Sequence, residues 1–140
     1  MPESSGLFLL VGVLILAVVL ILLISFKGKG SAVVNREKYQ SQWLEIENSI
    51  SRNNLPACQL AIMNADKLLD MALKERRFKG ENMGERMKSA QSTWKNANNV
   101  WTAHKVRNRL AHEPGATVSY DLTLQALSAF KQGLKDLGAI

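Results

Sequence analysis

The chain has 140 residues, a formal net charge of +6 and a single cysteine, Cys58. One cysteine excludes an internal disulfide framework, and no phosphate loop, zinc-ligand spacing or serine-nucleophile signature occurs. The basic balance points to nucleic acid, anionic lipid or phosphorylated ligands as partners, or more simply to solubility and the charged flank of a membrane segment.

Leu7 to Phe26 reads LFLLVGVLILAVVLILLISF, an uncharged run with only Gly12 and Ser25 outside strongly or small apolar types. At about 1.5 Å per residue it spans roughly 30 Å, the thickness of a hydrocarbon core. A cleaved signal peptide has a basic start and a shorter apolar run. Here the start carries Glu3, and the first cations, Lys27 and Lys29, follow the run. The expectation is a retained transmembrane helix. Lys27, Lys29, Arg36 and Lys38 follow it and no Lys or Arg precedes it, so the positive-inside rule puts the C-terminal part in the cytoplasm. The organisation is then an extracytoplasmic tail over 1–6, a transmembrane helix over 7–26, a flexible basic linker over 27–34 and a helical domain over 35–140. The membrane lipid bilayer is thus the first expected partner, although two linker lysines are too few for a lipid-binding motif.

From about Asn35 the periodicity is helical. Tyr39, Trp43, Ile46 and Ile50 recur at steps of four, three and four, and this helix is expected to end near Asn53-Asn54. Pro56 suits the first turn of a second helix, read as running to Phe78. Its wide apolar face holds Ala57, Leu60, Ala61, Ala65, Leu68, Leu69, Ala72 and Leu73, which makes it central. Asp66, Asp70 and Lys74 are assigned to its polar face. Cations from Lys74 to Lys79 close it, and Gly80 is the expected stop. Glu81 to Ala90 forms a short helix capped by Asn82, with Met83 and Met87 inward. A break is expected near Ser92, then a helix over Thr93 to His112 carrying Trp94, Ala97 and Trp101. Ser119 caps the last helix, which runs to about Leu137 with Leu122, Ala126, Leu127, Phe130 and Leu134 inward. No sustained two-residue alternation marks a strand. The expected fold is all-α: one membrane helix, then a bundle of four main helices with a short extra one.

The stretch with the most chemistry is His104-Lys105-Val106-Arg107-Asn108-Arg109-Leu110-Ala111-His112-Glu113-Pro114, which Pro114 and Gly115 terminate. His104, Asn108 and His112 are spaced four apart along one face, with Arg107 to one side and Arg109 to the other. Val106, Leu110 and Ala111 are the apolar anchors. A polar stripe on an anchored helix suits an anion.

Arg107, Asn108 and His112 resemble the motif of the HEPN family, small helical bundles in which an Arg, often followed by a polar residue, precedes a His by four to six residues. Ala65 to Leu69, the Gly80 to Arg86 turn and the helix after His112-Glu113-Pro114 extend the likeness over Asn35 to Ile140. The resemblance implies a metal-independent endoribonuclease in many members, with two motifs meeting across a homodimer interface. Arg107, Asn108 and His112 are then the catalytic candidates, and no cofactor or metal is implied. The residue types suit the chemistry. His accepts a proton near neutral pH, and Arg forks onto phosphate oxygens as charge develops. The family also has members with the same helix and no catalysis. His104 and Arg109 are the remaining ligand-binding candidates.

Other clusters have plain structural readings beside functional ones. Lys74 to Lys79 is either a phosphate track or a solvated helix end. Trp43, Trp94 and Trp101 are either base-stacking platforms or core. Two His without an acidic or thiol ligand set make a weak metal site, and Cys58 reads as a buried thiol. The functional expectation is a single-pass membrane protein presenting a HEPN-like domain to the cytoplasm, as a nucleotide-, RNA- or protein-binding assembly module. The alternative is a ribonuclease using Arg107 and His112 at a dimer interface.

Overall fold

The computed structural model describes residues 3–27 and 32–140. The expected tail over 1–6 and linker over 27–34 therefore fall partly outside the described residues. The chain divides into two units, Met1–Ser31 and Ala32–Ile140. The first holds α1 (Glu3–Lys27). Its stretch Gly6–Leu23, with mean hydropathy 3.3, is long and apolar enough to cross a membrane, and none of that stretch is buried within the structure.

The second unit is a helical bundle: α2 (Arg36–Ser49), α3 (Leu55–Glu75), α4 (Met83–Ser89), α5 (Ala97–His112) and α6 (Tyr120–Asp136). Among its residues there is no strand, only an isolated bridge between Ser51 and Asn54. The expected all-α architecture is observed. Helix α3 packs against α2, α4, α5 and α6, while α5 also packs on α6. The hub position follows from α3's composition. Ala61, Ala65 and Ala72 let neighbours approach, and Ile62, Leu69 and Leu73 supply buried bulk. Gly133 on α6 serves the same close approach, since a β-carbon there would stand 3.3 Å from the Leu69 side chain.

Every helix of this unit begins with the same device. Asn35, Asn54, Asn82, Asn96 and Ser119 each accept a hydrogen bond from the backbone N–H three residues on. That satisfies one of the donors a helix start leaves orphaned. Two expected boundaries move. Ile50 is extended, so α2 stops at Ser49 rather than near Asn53. Asn96 caps α5, so that helix starts at Ala97 rather than Thr93. Trp94 is left in the preceding turn, where its Nε1 donates to the Met87 carbonyl at 3.0 Å.

Helix α3 also ends early, at Glu75 rather than Phe78. Arg77, not Gly80, reverses the chain, in a left-handed conformation with φ of 62°. The Phe78 N–H returns to the Leu73 carbonyl, and the Phe78 ring is buried. Gly80 has a different duty. A β-carbon there would lie 2.6 Å from the Arg86 nitrogen, so only glycine fits. Buried Arg86 donates to the Gly80 carbonyl at 2.8 Å and forks onto both oxygens of Asp70, at 2.7 and 3.0 Å. This ties α4 to α3. Burial pushes the Asp70 carboxyl up, but the Arg86 and Lys74 hydrogen bonds and charges hold it below its usual range overall.

Three packing expectations are corrected. Leu60, assigned to the apolar face of α3, is 60% exposed, because the helices packed on α3 leave that edge open. Ala111 is exposed and anchors nothing. Asp66, assigned to a polar face, is buried.

Candidate functional site at the end of α5

Helix α5 carries two sets of polar side chains on different sides. The inward set is organised by Asp66 on α3, which is 3% exposed. His104, 8% exposed, places Nδ1 2.7 Å from Asp66 Oδ1. Arg107 places Nε 3.1 Å from Asp66 Oδ2, an ion pair off the line of a hydrogen bond. The Arg107 Nη1 group donates to Asn108 Oδ1 at 3.0 Å, and Asn108 Nδ2 lies 3.2 Å from His104 Nε2. These contacts close a ring: Asp66, His104, Asn108, Arg107 and back to Asp66.

The ring selects one hydrogen arrangement. Asn108 Oδ1 accepts from Arg107, so its Nδ2 donates, and His104 Nε2 must accept. The imidazole proton then sits on Nδ1 and is donated to Asp66. In this arrangement every facing pair is donor to acceptor. The Trp101 ring meets the imidazole edge-on, with centroids 6.2 Å apart. A buried ring of this kind fixes α5 against α3. It has no free base on its interior side.

The outward set is different. Lys105, Arg109 and His112 are all exposed. Their spacing of four and three puts them within about 60° on one helix face. Among the described residues none of the three has an acidic partner. Arg107 stands between the two sets, with its side chain 31% exposed.

The sequence candidates are thus divided. Arg107 and Asn108 turn inward with His104, which is buried and is not presented to a ligand. Asn108 faces the imidazole of His104, one turn before it. His112 and Arg109 face solvent with Lys105. Five residues of helix set Arg107 and His112 about 140° apart around α5. Asp66 was missed as a functional neighbour of this segment. The signal was present, because Ile62, Asp66, Leu69 and Leu73 follow one helical stripe and the carboxylate stands among apolar residues. Among the described residues no group of three or more His, Cys, Asp or Glu side chains comes together to hold a metal. Trp43 and Trp94 are buried in the core.

No protein-family model, curated protein or solved structure matches the chain.

Proposed function

We propose that the protein is a membrane-anchored, non-catalytic binding module that takes phosphate-bearing ligands, RNA or nucleotides, on the exposed face of α5. The observation that carries this reading is the stripe of Lys105, Arg109 and His112, exposed on one helix face and, among the described residues, free of acidic partners. Such a stripe meets backbone phosphates by charge, with counterion release supplying affinity. The HEPN-like likeness of Arg107 to His112 agrees with an RNA or nucleotide ligand. The inward commitment of Arg107 and Asn108 favours binding over cleavage. In this reading α1 is the anchor, and the Lys27 flank holds the bundle in the cytoplasm.

The test uses the full chain in lipid nanodiscs, labelled single-stranded RNA and a chelator. Binding is expected to weaken steeply with salt. Lys105→Ala with Arg109→Ala should lower affinity and reduce the salt slope by about 2, one for each phosphate contact. The RNA should stay intact. Cleavage by the parent chain that His112→Ala abolishes would replace this reading with the ribonuclease, using Arg107 and His112 from two copies. Absence of binding at low salt would sink both. A C-terminal reporter active only outside the cytoplasm would overturn the orientation.

A further inference from the structure

The bundle has a second basic surface, at the other end of α3 from the terminus of α5. The positions of the two are set by side-chain contacts. Gln59, near the start of α3, donates to the Ala116 carbonyl just beyond α5 at 3.3 Å, so the α5 terminus lies by the first turns of α3. At the far end, Arg76 Nη1 donates to the Ala32 carbonyl at 3.3 Å, and Lys38 reaches Glu75 at 3.2 Å. Gln59 and Glu75 are separated along α3 by roughly 24 Å at 1.5 Å per residue.

Three observations coincide at that far end. First, cations collect there from two segments. Arg36 opens α2, while Arg77 and Lys79 follow α3; all three are exposed, and none has an acidic partner among the described residues. Second, Val33 is 95% exposed beside them, an apolar side chain without any packing. Its neighbour Val34 is buried, so the segment is docked and Val33 is held outward. Third, Ala32 is the residue through which the bundle joins α1. Five peptide steps separate Lys27 from Ala32, at most about 18 Å of chain.

We infer that this end of the bundle is a docking surface for the anionic lipid leaflet, with Arg36, Arg77 and Lys79 on headgroup phosphates and Val33 entering the interface. The inference rests on α1 being a membrane anchor. The tether confines the surface to the neighbourhood of headgroups, and the charge complements an anionic leaflet. An apolar side chain amid cations is the pairing that an interfacial surface uses. A bundle docked this way leaves the terminus of α5, with Arg109 and His112, away from the docked end and open to soluble ligands.

The experiment places an environment-sensitive fluorophore at Val33→Cys in the full chain. Cys58 is fully buried, so labelling is confined to the surface thiol. The labelled protein is reconstituted into phosphatidylcholine vesicles with and without phosphatidylglycerol, and vesicle flotation is recorded in parallel. Emission is expected to shift blue and brighten with the anionic lipid. The shift should vanish at about 1 M salt, where the Debye length is roughly 3 Å. It should also be lost in Arg77→Glu/Lys79→Glu. Should that variant lose its cooperative melt, Arg36→Glu replaces it, since an acid at a helix start is well tolerated. Identical spectra in the two vesicle types would overturn the proposal. So would a full shift in the charge-reversed variants, which would assign the response to Lys27 and Lys29. Failure of the chain to float with either vesicle would instead remove the anchor reading, and the docking surface with it.

Discussion

Asp66 lies among Ile62, Leu69 and Leu73 on the inward stripe of α3, and an ionised carboxylate in that setting needs partners to offset lost hydration. His104 and Arg107 supply them, and Asn108 closes the ring. The orientation of the α5 motif is therefore decided by a residue thirty-eight positions away in sequence. Removing that residue has a calculable consequence. Asp66→Ala leaves His104 Nδ1 without an acceptor and Arg107 without its counter-charge. It should destabilise the bundle by about 2–4 kcal/mol in urea unfolding, with Arg107's partial exposure limiting the loss. His112→Ala removes an exposed side chain and should stay within about 0.5 kcal/mol. Equal costs for the two would mean that the buried ring does not hold α5 on α3.

Helix ends set the element scale. The Asn and Ser caps define where α2 to α6 begin, and each answers the same shortage of acceptors at a helix start. The end of α3 is less economical. A non-glycine residue at φ of 62° bears a steric cost of about 1–2 kcal/mol, which the burial of Phe78 and its return hydrogen bond offset. Arg77→Gly should remove that cost and, after the larger chain entropy of glycine, raise unfolding free energy by about 0.5–1 kcal/mol. A lower midpoint in urea would show that the Arg77 side chain contributes more to stability than its backbone strain takes away.

Across the whole second unit, α3 touches every other helix, so its ties govern global stability. Residues 32 to 140 should melt cooperatively without α1, as followed by circular dichroism. The acid limb of that stability follows from carboxylates. The Asp70 carboxyl is held below its ordinary value of 3.8 by Arg86 and Lys74 against the opposing effect of burial. The Lys131 hydrogen bond, against a smaller desolvation, lowers that of Glu47. A depressed folded value means the stabilisation is complete above the unfolded value and disappears as pH falls through the folded one. The melting midpoint should therefore drop as pH is lowered through and beneath 3.8. Asp70→Asn should flatten that dependence, and an unchanged acid limb in the variant would count against the Arg86 tie.

The sequence by itself determined what depends on neighbours within one or two turns. The apolar run of α1, the inward positions Tyr39, Trp43 and Ile46, the Asn82 and Ser119 caps and the position of α6 are all periodicity or local hydrogen bonding. The Asn54 and Asn96 caps are equally local, but at Asn96 apolar periodicity from Trp94 to Ala97 runs across the cap and hides it. Tertiary structure alone decided the rest. Leu60 continues the helical stripe yet is exposed, since the neighbours of α3 do not cover that edge. Asp66 breaks the stripe yet is buried, since α5 brings it an imidazole and a guanidinium. Arg107, Asn108 and His112 form one motif in sequence. In space the first two turn toward the α3 carboxylate while His112 joins Lys105 and Arg109 in solvent, because electrostatic pairing with a distant buried charge outweighs any local preference.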